Sequence, residues 1–92
     1  MTEDGYELIV AGPAARAIAE TLPEAVSVAV IDFITGSLID NPRRVGRELR
    51  KELAGIHSAR RGSYRVLYRI DESNRTVTVL RIDHRGDVYR TT

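Results

Sequence analysis

Cysteine is absent from the 92 residues, which excludes a disulfide framework and any thiolate metal site. No apolar run is long enough for a signal peptide or a membrane span, so a soluble, cytoplasmic protein without a membrane partner is expected. A chain this short makes one small domain, spanning 1–92, that buries about 60% of the surface its extended form exposes. A large enclosed cavity is therefore not expected, and no cofactor is implied. The two histidines have no matched carboxylate spacing, so there is no metal signature.

Basic charge is nearly missing from the first part of the chain. Residues 1–42 hold one basic residue, Arg16, against seven acidic ones, a net charge of −6. The remainder holds 13 basic residues against six acidic ones, a net charge of +7. Lysine is scarce as well: 12 of those 13 are arginine, and Lys51 is the exception. A charge run is usually a solvated surface, but guanidinium offers a planar fork that matches phosphate, and an asymmetry of this kind points to a polyanionic partner.

In chain order, Tyr6 to Val10 is a short β-branched run and reads as a first strand. Gly12-Pro13 opens a helix, because proline at the first helical position loses no hydrogen bond. Ala14, Ala17, Ile18 and Leu22 fall on one face of it. Pro23 ends this helix and begins another, in which Val26, Ala29, Val30 and Phe33 recur at helical spacing, Ser27 and Asp32 turn away, and Asn41-Pro42 is the stop. Pro42 to Gly46 is a basic connector, followed by Leu49 and Leu53 amid Arg44, Arg47, Arg50 and Lys51. Gly55 then releases the chain into a strand over His57 to Arg61.

The stretch Ser58 to Ile70 is the centre of the chain. From Tyr64 to Asp71, Tyr64, Val66, Tyr68 and Ile70 alternate with Arg65, Leu67 and Arg69, the period of a half-buried strand. Tyr64 and Tyr68 take the core face, with their phenols reaching its rim. A second strand runs from Arg75 to Asp83. Setting Asp71 opposite Arg75 pairs Tyr64 with Ile82, Val66 with Leu80 and Tyr68 with Thr78, which keeps one face apolar. The loop is then Glu72-Ser73-Asn74, with Asn74 in the left-handed position. That register sets Arg65 opposite Arg81, a like-charge pair that makes sense if an anion belongs between them. The order β-α-α-β-β-β predicts a small antiparallel sheet with a helical hairpin on one face and a basic second face.

This pattern resembles the RelE toxins of bacterial toxin–antitoxin pairs, within the RelE/ParE superfamily. The matching pieces are Leu53-Ala54-Gly55, Arg60 to Asp71, Val79 to Arg85 and Val88-Tyr89-Arg90, so the resemblance covers residues 6 to 90. It implies an α+β, RelE-like fold: an N-terminal strand, an antiparallel helical hairpin, and a three-stranded antiparallel sheet completing a four-stranded one. It also implies a metal-free endoribonuclease that cuts messenger RNA in the ribosomal A site by 2′-hydroxyl attack on the adjacent phosphate. The implied partners are a RelB-like antitoxin, the ribosome with its messenger RNA, and operator DNA bound through the antitoxin complex.

By resemblance Arg65 stabilises the phosphate charge, Arg85 shares that task or protonates the leaving group, and Tyr89 stacks on or orients the nucleotide. Arg60, Arg61, Arg81 and His57 supply the RNA-binding field. The best-known type of RelE carries two lysines where this chain has Ile56 and Ser58, and arginine is a poor proton acceptor because it stays charged. His84, His57 and Glu48 are the candidates for the base, since imidazole titrates near neutrality. The competing assignments make Arg65 and Arg81 ordinary exposed strand residues, His84 a loop cap, His57 a polar strand residue and Tyr89 a packing anchor. Two other functions keep the fold: a ParE-like poison of DNA gyrase, and an inactive binding module. The acidic first half would repel an acidic antitoxin segment, so antitoxin contacts on the helical hairpin are expected to be apolar, through exposed Ala, Val and Ile.

Overall fold

The computed structural model describes residues 5–84. Strand β1 (Glu7–Val10) leads into helix α1 (Gly12–Arg16), which continues as a wider π-helical turn over Ala17–Thr21. Helix α2 (Glu24–Thr35) and the single turn α3 (Ser37–Asp40) follow. The chain then forms β2 (Arg47–Glu48), a 3-10 turn (Lys51–Leu53), β3 (His57–Arg61), β4 (Tyr64–Asp71) and β5 (Thr76–His84). The strands make one five-stranded sheet in the order β1-β5-β4-β3-β2. The α+β architecture is the expected one, with two differences. The two-residue β2 adds a fifth strand on β3, and β1 lies parallel to β5.

The helices pack on the sheet through Ala14 of α1, Val30, Phe33 and Ile34 of α2, and Leu38 of α3, all buried. Against them the sheet sets Ala59, Val66, Tyr68, Val77, Val79 and Ile82. Ser27 corrects the expected pattern of α2: it is buried, and its hydroxyl donates to the Ile18 carbonyl at 2.8 Å, tying α2 to the preceding helix. Ala29 is exposed instead. Among the described residues no helix is long and apolar enough to cross a membrane.

The β4–β5 hairpin departs from the expected register, with consequences for the site. Asp71 pairs with Thr76, Tyr68 with Val79 and Val66 with Ile82, with an irregularity between Leu67 and Tyr68 that leaves Leu80 as an extra residue in β5. Unbroken alternation from Val77 and Val79 would drive Arg81 into the core. The bulge shifts the phase by one residue, so Ile82 points inward and Arg81 outward. The turn is longer than expected: Arg75, not Asn74, has the positive φ of 52°. The Asn74 backbone N–H and side-chain amide both donate to the Asp71 carboxylate, at 3.2 and 2.9 Å. The longer turn and the bulge, one residue each, together set Arg65 opposite Asp83, so the expected Arg65–Arg81 opposition is not formed.

Candidate nucleic-acid interface

The face of the sheet turned away from the helices carries a grid of polar residues. One register row runs Arg47, Ser58, Leu67, Arg81 across β2, β3, β4 and β5, and the next runs Arg60, Arg65, Asp83 across β3, β4 and β5. The like-charge opposition expected of this face therefore exists, but as Arg60 against Arg65. Directly opposite positions bring Cβ atoms within about 4.5–5.5 Å. Two like charges opposed in this way destabilise the strand pair, a cost that an anion between them would relieve. Arg81 contributes less, because its Nε donates to the Asp83 carboxylate at 2.7 Å.

A cavity of about 480 Å³ opens on this face, lined by Arg44, Val45, Gly46, Arg47, Leu49, Ser58, Arg60 and Arg65. Among the described residues its lining holds four arginines and no carboxylate. The wall opposite the sheet is the connector between α3 and β3, held by close contacts. The Tyr68 phenol, fully buried, donates to the Pro42 carbonyl at 2.6 Å. Burial raises its pKa to about 12, so it stays a donor. This corrects the expectation that the Tyr68 phenol reaches the rim of the core. A Cβ on Gly46 would lie 2.5 Å from the Tyr68 hydroxyl and 2.6 Å from the Ser58 carbonyl; only glycine lets the connector approach β3 and β4 closely enough to bring Arg44 and Arg47 to the sheet. Farther along, Arg43 donates from Nε to Glu72 at 2.7 Å, and the Tyr6 hydroxyl donates to the same carboxylate at 2.9 Å. The Arg43 hydrogen bond, then that of Tyr6, holds the Glu72 carboxyl below its ordinary pKa.

The other anticipated residues lie elsewhere. Arg61 is on the helix-facing side, its guanidinium 3.8 Å from the centroid of the Phe33 ring. His57 is buried on that side too, its ring 5.4 Å from that of Tyr68 in a stacked arrangement. Burial pushes the pKa of His57 below its ordinary value, favouring the neutral ring. Glu48 pairs with His57 in register and accepts the backbone N–H of Gly55 at 2.9 Å. His84, exposed at the end of β5, pairs with Tyr64 and meets its ring edge-on at 5.3 Å. Arg85 and Tyr89 lie outside the described residues. Of the residues expected at the phosphate, Arg60 and Arg65 come together in the cavity, joined by Arg44, Arg47 and Ser58, which sequence reasoning did not single out. The signal for the first two was the basic connector; a two-residue strand was too short to announce where it would dock.

The family model for the ParE toxin of the type II toxin–antitoxin system parDE matches residues 9–89. This chain belongs to the RelE/ParE toxin family. Toxin RelG of Mycobacterium tuberculosis is 54% identical over 76 residues, which cover 83% of this chain and 87% of that one. Toxin RelE of the same organism is 42% identical over 85 residues, 92% of this chain and 87% of that one. Among solved structures, the toxin–antitoxin complex RelBE2 of Mycobacterium tuberculosis contains a chain that superposes with a TM-score of 0.82 at 48% identity, covering 88% of this chain and 99% of that one. The RelE/ParE resemblance read over residues 6 to 90 is thus the family of the chain, and the helices packed on a sheet are the architecture it shares with the RelBE2 toxin.

Proposed function

We propose that this RelE/ParE family member is a ribosome-dependent endoribonuclease that cuts messenger RNA by 2′-hydroxyl attack on the scissile phosphate, without a metal. The observation that supports it is the arginine-lined cavity, where Arg60 and Arg65 are opposed across β3 and β4 with no carboxylate in the lining among the described residues. Charge accumulates on phosphate oxygens as the 2′ oxygen adds, and preorganised guanidiniums meet that charge without reorganising. In this reading Arg65 is the principal cation and Arg85 and Tyr89 complete the site, protonating the leaving oxygen and orienting the nucleotide. The 2′ proton passes to a general base; His84 is exposed but meets the Tyr64 ring on the helix-facing side of the sheet, across from the arginine cavity.

Brief induction of the wild-type chain beside Arg65→Ala and Arg85→Ala, with mapping of messenger RNA 5′ ends, tests this. New 5′-hydroxyl ends within translated regions, lost in both folded variants, are the expected result. Intact messages during growth arrest would refute it. The ParE description of the matching family supports a second reading, gyrase poisoning, for which damaged DNA beside an unaltered message pool is the signature.

A RelB-like antitoxin is the proposed partner in the cytoplasm, and the complex would reach operator DNA through that antitoxin. On α2, Val28 is 58% and Ile31 44% exposed, an apolar strip of the kind an amphipathic segment covers. Such a complex would survive high salt, whereas an electrostatic one would dissociate.

A further inference from the structure

Ser58 sits at the floor of the arginine cavity, in β3 between the connector and β4. It is 5% exposed, and its hydroxyl has no hydrogen-bond partner. A buried hydroxyl left unmatched costs free energy, and native proteins rarely keep one without a use. The surroundings specify what would match it. Arg47 is directly opposite Ser58 on β2, Arg60 is two residues along the same strand face, and Arg44 lines the cavity from the connector. Among the described residues every charged neighbour in the lining is a cation, which favours an anionic acceptor as the missing partner. The volume of about 480 Å³ falls within the about 300–1,000 Å³ typical of ligand pockets, enough for a phosphodiester with part of its nucleotide.

We propose that Ser58, Arg44 and Arg47 form a backbone-phosphate subsite for RNA, in which the Ser58 hydroxyl donates to a non-bridging phosphate oxygen and the two connector arginines neutralise it. The inference rests on the nuclease reading for its RNA substrate but assigns residues outside those given to the chemistry. It makes Gly46 and Tyr68 positioning residues, since their close contact carries Arg44 and Arg47 to the sheet. The subsite holds the chain beside the Arg60–Arg65 pair and carries no proton.

The test uses fluorescence anisotropy with a short RNA bearing 2′-O-methyl groups throughout, which cannot be cut by 2′ attack, over a salt series. Ser58→Ala should weaken binding roughly 10-fold, as expected for a hydrogen bond to a charged group, and leave the salt slope unchanged. Its melting temperature should stay level or rise, because the hydroxyl it removes has no partner in the fold. Arg47→Ala and Arg44→Ala should each lower the salt slope by about one. Ser58→Thr, which keeps a hydroxyl, should bind more tightly than Ser58→Ala. Wild-type binding that is absent, or that Ser58→Ala leaves intact while lowering thermal stability, would overturn the proposal. Cleavage in cells with unaltered binding by these variants would sink the subsite and spare the nuclease reading. Binding that responds as expected, in a protein that leaves messages intact, would keep the subsite and refute the nuclease.

Discussion

Replacing Gly46 by alanine probes how the connector wall is held. The added methyl would sit 2.5 Å from the Tyr68 hydroxyl, 2.6 Å from the Ser58 carbonyl oxygen and 3.0 Å from its carbon. Neither obstacle yields cheaply: Ser58 is in β3, paired on both sides, and the Tyr68 ring is fully buried with its hydroxyl on the Pro42 carbonyl. The connector must therefore retreat. Overpacking of this kind costs about 1–3 kcal/mol, and a stranded buried phenol and carbonyl cost about 1–3 kcal/mol more. A combined loss of about 2–6 kcal/mol is a large share of the roughly 5–15 kcal/mol that stabilises a typical domain. At about 4–8 °C per kcal/mol for a domain of this size, the melting temperature should fall by at least about 8 °C. Adding Tyr68→Phe removes the nearer obstacle but not the Ser58 carbonyl, so the double variant should lose less than the sum of the single losses. Circular dichroism melts of the three variants measure this. A Gly46→Ala protein that melts within about 2 °C of wild type would refute the claim that a close backbone contact holds the wall.

Other outcomes follow from the same contacts. Burial lowers the folded pKa of His57 from 6.5, so the unfolded chain takes its proton more readily. The stability linked to neutral His57 is complete above about pH 6.5 and is lost as pH falls below it; urea titrations from pH 7.5 to 5 should show that decline, and His57→Gln should flatten it. Arg60→Ala relieves a like-charge opposition with Arg65, so its melting temperature should hold or rise while cleavage falls; a clear drop in stability would contradict the assignment of Arg60 to a ligand. Ser27→Ala breaks the 2.8 Å hydrogen bond to the Ile18 carbonyl and should cost about 1 kcal/mol by urea denaturation, with RNA binding intact.

Much of the architecture was legible because local rules and the fold agreed. Pro13 and Pro23 marked helix starts, the Tyr64 to Asp71 alternation marked β4 within its observed limits, and the basic second face was visible in Arg65 and Arg69. The departures arose where a tertiary contact outweighed a local pattern. Periodicity placed Ser27 on the exposed face of α2, but a carbonyl of the preceding helix was waiting for its hydroxyl. Alternation alone favoured a register that put Thr78, Leu80 and Ile82 on the apolar face, whereas the sheet adopted a bulge at Leu80 that keeps Ile82 inward and buries Val77 and Val79 instead of Thr78 and Leu80.

For the site, the sequence by itself determined the chemistry: a half of the chain rich in arginine and poor in lysine, suited to phosphate. It also placed Arg65 on the outward face of its strand. Which arginines meet was decided by the tertiary structure alone. A turn one residue longer and a one-residue bulge together exchanged Arg81 for Asp83 opposite Arg65, and pairing with β3 supplied Arg60 instead. The connector brought Arg44 and Arg47 to Ser58 through a contact only Gly46 permits. Residue type is a property of the chain and so can be read along it. Cross-strand neighbours depend on register, and register is settled by the core that the strands share.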